Sequence, residues 1–195
     1  MIINVKALKA VNLAASTEQV RYYLNGVYLH LKSDHMIMVA TDGKKMLAYR
    51  DDYDSPEDAQ SAKDFGSVII PRDLINKIKL AKRGAVDTAE IEITKEKQIT
   101  IKYCGDIFGA HAVDGTFPAY QRVVPATVDN ETAQFDAEYV SDLSKAGQVM
   151  GFGKPHIHHN GNGPAIVTFN NDNFLGVLMP IKSVESLPAF NWLRS

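Results

Sequence analysis

The sequence predicts an α+β fold assembled from repeated strand–helix–strand units with antiparallel sheets, on the strength of three observations. A short strand, a polar or basic helix and then paired strands recur at a spacing of roughly 65 residues. The paired strands alternate apolar and polar residues with period two, as half-buried antiparallel strands do. Each helical stretch carries a single apolar stripe, so each packs one face against a sheet.

The first unit opens with Ile2-Ile3-Asn4-Val5 and continues as a helix from about Lys6 to Ala15, with Leu8, Val11 and Ala15 on one stripe. Val27, Leu29 and Leu31, then Ile37 and Val39, supply the alternating strands. The second unit opens with Val68-Ile69-Ile70. Pro71 suits the first turn of a helix reaching about Arg83, whose stripe is Leu74, Ile78 and Ala81. Ala89, Ile91 and Ile93, a Thr94-Lys95-Glu96-Lys97 turn, and Ile99, Ile101 and Tyr103 form the clearest hairpin. The third unit begins at Phe135, takes Asp136 as helix N-cap and runs helical to about Gln148 through Val140, Leu143 and Gly147. Ala165, Val167 and Phe169 alternate before an Asn170–Asn173 turn, and Phe174, Gly176 and Leu178 after it. Two segments read as connectors: an acidic loop, Asp51 to Asp58, and a proline-bearing linker, Gly115 to Asn130. The predicted division is a two-unit domain over 1–124, one further unit over 125–182 and a tail over 183–195.

Composition narrows the class. The 195 residues are 45% apolar and 23% charged with a formal charge of −2, a balance that argues against a generic polyanion coat. Cys104 is the one cysteine, so intrachain disulfides and thiolate metal cages are excluded. Apolar runs fall short of a membrane span and no signal peptide precedes the first strand, so the expected compartment is the cytoplasm. Charge is unevenly placed. From Pro71 to Arg83 the chain holds Arg72, Lys77, Lys79, Lys82 and Arg83 against Asp73, a local +4, leaving −6 elsewhere. In a continuous helix Arg72, Lys79 and Arg83 share a face opposite the apolar stripe, suited to phosphates rather than base edges; a solvated helix face is the alternative. Lys6 and Lys9 make a weaker version on the first helix, while the third shows Glu138, Asp142 and Lys145. His156 and His158 would share a face of a strand, but no carboxylate lies near them in sequence, and a polar strand end accounts for them. Cys104, beside Gly105 at a strand end, reads as a small buried residue. No catalytic triad, phosphate-cradling loop or nucleotide fingerprint is present, and no cofactor is expected.

Four motifs occur in order: Arg21-Tyr22-Tyr23-Leu24-Asn25-Gly26-Val27, Val39-Ala40-Thr41-Asp42-Gly43, Asp114-Gly115-Thr116-Phe117-Pro118-Ala119-Tyr120 with Val124-Pro125, and Leu178-Met179-Pro180-Ile181-Lys182. Their order and spacing resemble the bacterial DNA polymerase III β sliding clamp family, matching its middle domain joined to the second half of its last domain. The resemblance implies the DNA clamp fold, with antiparallel sheets outside and helices lining a hole for duplex DNA. It implies a non-enzymatic processivity factor that works as a homo-oligomer. By that analogy Arg72, Lys79, Lys82, Arg83, Lys6 and Lys9 face DNA, and Tyr22 and Tyr23 match a DNA-touching tyrosine pair. Glu18 stands where the family has a glutamine. The resemblance also implies a hydrophobic cleft for short peptides of polymerases and clamp loaders, supplied here by Leu24, Thr41, Gly43, Met46, Pro125, Val177, Met179, Pro180 and Ile181. Lys44-Lys45-Met46 replaces the family's His-Arg-Leu. The tail adds Leu187, Phe190 and Trp192, apolar anchors of the kind such a cleft takes, with packing elsewhere as the plainer expectation. Because half a domain is missing, the rival reading is a peptide-binding module or decoy that does not encircle DNA; a second rival, a hydrolase with metal on His156 and His158, requires bound metal.

Overall fold

The first strands of the first two units are exchanged, and that exchange organises the molecule. The computed structural model describes residues 1–81 and 87–181. One sheet has four strands in the order β1 (Ile2–Asn4), β6 (Thr88–Ile93), β7 (Gln98–Tyr103) and β8 (Asp106–His111). The other has seven, in the order β5 (Val68–Pro71), β2 (Gly26–Leu31), β3 (His35–Thr41), β4 (Lys45–Asp52), β11 (Phe174–Leu178), β10 (Ala165–Thr168) and β9 (His156–His158). The first unit's opening strand pairs with the second unit's hairpin, Ile3 opposite Ala89, and the second unit's with the first unit's, Val27 opposite Ile70. Neither unit closes its sheet alone, so the two form one core in which Ile3, Leu8, Leu29, Ile70, Ile75 and Ile91 are buried. The third unit extends the seven-stranded sheet through β4 and β11.

Helix α1 (Val5–Val11) starts where Asn4 accepts a hydrogen bond from the Ala7 N–H, and its Val5, Ala7, Leu8, Ala10 and Val11 are buried. A short 3-10 turn, Asn12–Ala14, carries the expected helix on in tighter form. Helix α4 (Ala137–Met150), capped by Asp136 and ended by Gly151 in the left-handed region, packs against α1 and buries Leu143, Ala146 and Gly147. A lone bridge between Gln134 and Ile181 forms beside Phe135, where the third unit begins.

Four expectations are corrected. The acidic segment is not a loop: β4 runs through Asp52, and Ser55 caps helix α2 (Pro56–Phe65) with Pro56 at its start. Ser-Pro-Glu-Asp is a helix-start signal, with acids favoured in the first turn by the backbone dipole. Asp58 is buried and pairs with the Met1 ammonium at 3.5 Å. The basic helix α3 spans only Arg72–Lys77. Ile78 turns extended to stay in the core, and the Ala81 N–H bonds the Tyr103 hydroxyl instead of a helical carbonyl. Cys104 is exposed at positive φ in the turn between β7 and β8, where the chain reverses too tightly to bury a side chain. The expected linker is partly ordered core: Phe117 stacks on Tyr28 at 4.9 Å and Tyr120 is buried within a 3-10 turn.

Asp51, in β4, has its carboxyl pushed up to about 6, chiefly by burial and then by the charges of Asp54 and Asp52. A pKa raised above its unfolded value adds stability fully present below pH 3.8 and lost as pH rises through about 6. Asp51→Asn removes the buried charge and is expected to gain about 1 kcal/mol at pH 7.5, after discount for partial exposure, or roughly 2–4 °C in Tm. The gain over wild type vanishes near pH 4 in paired thermal melts.

Candidate functional site

An apolar cleft of about 220 Å³ opens where the first unit, the 117–124 segment and the last strand converge. Its floor is a small core of its own, Leu24, Val39, Met46, Ile69, Tyr120 and Val177, separate from the main one. Val177 lies opposite Met46 across the β4–β11 ladder, so the floor is built at the seam between two units. The ladder is continued at its ends by Arg50 N–H to Asn173 O at 2.9 Å and Met179 N–H to Lys44 O at 2.8 Å. Val123 and Met179 stand at the rim, 44% and 38% exposed. Tyr120 is fixed by His30, whose Nδ1 lies 2.9 Å from its hydroxyl.

The hairpin loop between β3 and β4 forms one wall. Thr41 Oγ1 donates to Lys45 O at 2.7 Å and accepts from the Gly43 N–H at 3.0 Å, while Asp42 Oδ1 accepts from the Lys44 and Lys45 N–H groups. Gly43 has φ +91°, a backbone conformation that favours glycine, and the Arg21 guanidinium lies over it, with Nη1 2.6 Å from where a Cβ would fall. Arg21 in turn is gripped by both carboxylate oxygens of Glu18, at 2.8 and 2.9 Å. The hydrogen bond from Arg21 holds the Glu18 carboxyl below the usual range. Glu18 thus serves as the anion that orders a cleft-wall arginine.

Lys45 ties this loop to the third unit. Its side chain is 8% exposed, with Nζ 3.1 Å from Asp42 Oδ2 and 3.0 Å from Asp142 Oδ2 of α4, and it sits 4.5 Å over the Tyr139 ring. Burial opposes its charge, but the hydrogen bonds it donates to Asp142 and Asp42 outweigh that and raise its pKa.

The basic residues are dispersed. Lys6 pairs with Asp87 at 2.6 Å, and Lys9, its pKa lowered by burial, donates to Ile75 O at 3.1 Å. Lys79 is exposed but lies beyond α3, so the shared helical face with Arg72 does not form; Lys82 and Arg83 lie outside the described residues, as does the tail from Ser183. Arg72 Nε and Asn25 Oδ1 are buried without a partner among the described residues, and both side chains line one cavity of about 400 Å³ with Ser16, Tyr22 and Asp73. Tyr22 is exposed and meets Tyr23 edge-on at 6.0 Å, while Tyr23 belongs to the cleft wall.

Of the residues expected in the cleft, Leu24, Thr41, Gly43, Met46, Val177 and Met179 line it; Pro125, Pro180 and Ile181 do not. Sequence reasoning omits Arg21, Lys45, Pro118, Tyr120 and Val123, although Arg21, Pro118 and Tyr120 lie within the four motifs. His158 Nε2 lies 2.8 Å from Thr168 Oγ1, and among the described residues no group of three or more metal-ligating side chains exists. Lys45→Ala leaves two carboxylates facing each other and is expected to cost about 3 kcal/mol. Urea denaturation followed by the amide signal measures it, and Asp142→Ala in the same background restores part of the loss.

A family model described as the central domain of the DNA polymerase III beta subunit matches residues 4–119. The beta sliding clamp of Caulobacter vibrioides is 27% identical over 150 residues, covering 72% of this chain and 39% of the relative. That of Escherichia coli K12 is 30% identical over 125 residues, 64% of this chain and 32% of the relative. The chain therefore spans about two fifths of the length of the curated relatives it matches. Among solved structures, a sliding clamp from Bartonella birtlesii superposes with a TM-score of 0.75 at 24% identity, over 94% of this chain and 66% of that one. A sliding clamp from Pseudomonas aeruginosa gives 0.73 at 22%, again over 94% and 66%. The structural likenesses carry the clamp fold, and the family model matches more than half of the chain: the chain belongs to the DNA polymerase III beta subunit family.

Proposed function

We propose that the chain is a sliding-clamp-type processivity element, without catalysis of its own, that holds duplex DNA and recruits polymerase-type and clamp-loader-type proteins through short peptides. The observation that carries the reading is the cleft at the β4–β11 seam. It has an apolar floor, a hydrogen-bonded loop for a wall and two exposed apolar rim residues, the make-up of a groove for an extended peptide. Pro125, Pro180 and Ile181 are left out of the assignment because they stand off the cavity.

The DNA face rests on fewer residues than the charge count alone suggests. Lys6 and Lys9 are spent on Asp87 and a backbone carbonyl, so Arg72, Lys79 and Tyr22 carry the assignment, with Lys82 and Arg83 as further candidates from sequence. The unpartnered Arg72 Nε favours this reading, since a phosphate oxygen would satisfy it. The tying-up of Lys6 and Lys9 favours the rival, a peptide-binding module that does not encircle DNA.

Two measurements separate the parts. Val123→Asp with Met179→Lys, both at exposed rim positions, is expected to weaken a fluorescent peptide bearing a replicative polymerase's clamp-binding motif by at least about tenfold, roughly 1.4 kcal/mol, without a change in melting temperature. Arg72→Ala with Lys79→Ala is expected to weaken duplex binding and to reduce the slope of log affinity against log salt by about two, leaving peptide affinity intact. Peptide binding with no measurable duplex affinity in the wild type would select the module reading.

A further inference from the structure

Four aromatic rings join the segment after Gly115 to the outer face of the seven-stranded sheet. Phe117 stacks on Tyr28 of β2 at 4.9 Å, Tyr28 leans on His30 of the same strand at 5.2 Å, His30 meets Tyr120 edge-on at 5.8 Å, and Tyr120 returns to Phe117 at 6.5 Å. Tyr28 and His30 alternate along their strand and so share a face, while Leu29 between them is buried in the main core on the other. The polar contact of this circuit is His30 Nδ1 to the Tyr120 hydroxyl, at 2.9 Å. Tyr120 in turn borders two apolar cavities, the cleft and a neighbour of about 280 Å³ over Ile37, Ala48 and Leu175, with Met46 beside it in both. His30 lines neither, so it reaches them only through the Tyr120 ring.

We propose that His30 is a positioning residue for the cleft: it sets the Tyr120 ring that divides the two cavities, and it makes the hold of the cleft on a peptide depend on pH. The effect on binding rests on the cleft being a peptide groove; the placement of the ring does not. A neutral imidazole with a bare Nδ1 accepts the Tyr120 O–H, whereas an imidazolium carries N–H on both nitrogens and can only donate. Protonation therefore turns the hydroxyl proton away and leaves a charge among the rings. The surroundings oppose that proton. Burial comes first, then the like charges of Lys32 on the same strand and His35 on β3, and together they hold His30 below the ordinary 6.5. Of the other charged groups on the elements around it, Asp34 pairs with His35 at 2.9 Å and Arg50 of β4 with Asp52 at 3.0 Å; Arg122, in the Tyr120 turn, is a further cation, and β5 carries no charged residue. Burial pushes the Tyr120 hydroxyl up, so it stays neutral. A folded pKa below the unfolded one gives ring placement and stability that hold above pH 6.5 and fall away as pH drops through the lowered value.

Fluorescence anisotropy tests the binding and NMR tests the ring. A peptide bearing a replicative polymerase's clamp-binding motif, without histidine or side-chain carboxylates, is expected to bind wild type at least about threefold more weakly near pH 5 than near pH 7.5. His30→Gln, whose carboxamide bonds a hydroxyl but takes no charge, is expected to level that profile. His30→Leu gives up the bond, and is expected to level the profile and also to weaken binding near pH 7.5 by about threefold. In the free protein, nuclear Overhauser contacts between the Tyr120 ring and the Met46 methyl should weaken as His30 titrates and persist in His30→Gln. A wild-type profile as flat as that of His30→Gln, or a slope that His30→Gln retains, overturns the pH dependence. Tyr120 contacts that do not change as His30 titrates overturn the positioning role. A wild type that binds no peptide at any pH overturns the groove reading instead, and the Tyr120 contacts then decide the role of His30.

Discussion

The antiparallel pairing of β4 with β11 is the contact on which the rest of the structure depends. It brings Val177 opposite Met46 to make the floor of the cleft, carries the third unit, and extends one sheet to seven strands. Backbone hydrogen bonds and the buried face of each strand set direction and register, and α4 packs behind them on α1 through Leu143, Ala146 and Gly147. Lys45 adds a polar tie between these layers, since it belongs to β4, to the loop that walls the cleft and, through Asp142, to α4. Its charge survives burial because two carboxylates face it, and removing either partner leaves a desolvated ion behind. A raised lysine pKa gives stability present below 10.5 and lost only as pH rises through the higher folded value, so the lock is closed throughout the neutral range.

The fold was legible wherever periodicity was strict. The Ala89–Tyr103 hairpin and the Ala165–Leu178 pair stand where alternation places them, because one face of each strand is buried and a one-residue slip would invert it. Helix extent was less legible. The stripe of Leu74, Ile78 and Ala81 is apolar at helical spacing, yet Ile78 reaches the same core from an extended backbone and the helix stops at Lys77. An apolar residue records that it is buried, not the conformation that buries it. Asp51 to Asp58 failed in the opposite sense: its acidity suggested solvent, whereas Ser55-Pro56 carried a helix start and Asp58 a buried partner.

The site was legible as motifs but not as a shape. Thr41, Gly43, Met46, Val177 and Met179 come together although more than a hundred residues separate them, because the strand that carries Val177 pairs with the strand that carries Met46. Tyr120 and Val123 were missed because the segment after Gly115 has no periodicity, and its course is fixed by long-range contacts, Phe117 stacked on Tyr28 and the Tyr120 hydroxyl against His30. Lys45 was missed because a lysine in sequence reads as solvent-facing until two acids are found around it.

Charge placement follows from the same constraint. A surface for a polyanion needs cations whose charge is not already cancelled; Lys6 and Lys45 face carboxylates, and Lys9 is half-buried against a backbone carbonyl. Arg72 differs, since its Nε is buried and lacks a partner among the described residues. A buried guanidinium donor left unsatisfied costs about 1–3 kcal/mol, a cost that a bound phosphate oxygen would remove. On the proposed DNA-facing reading Arg72 is therefore the cation whose position a ligand would help explain, and the count of basic residues is a poorer guide to such a face than the count of unsatisfied ones.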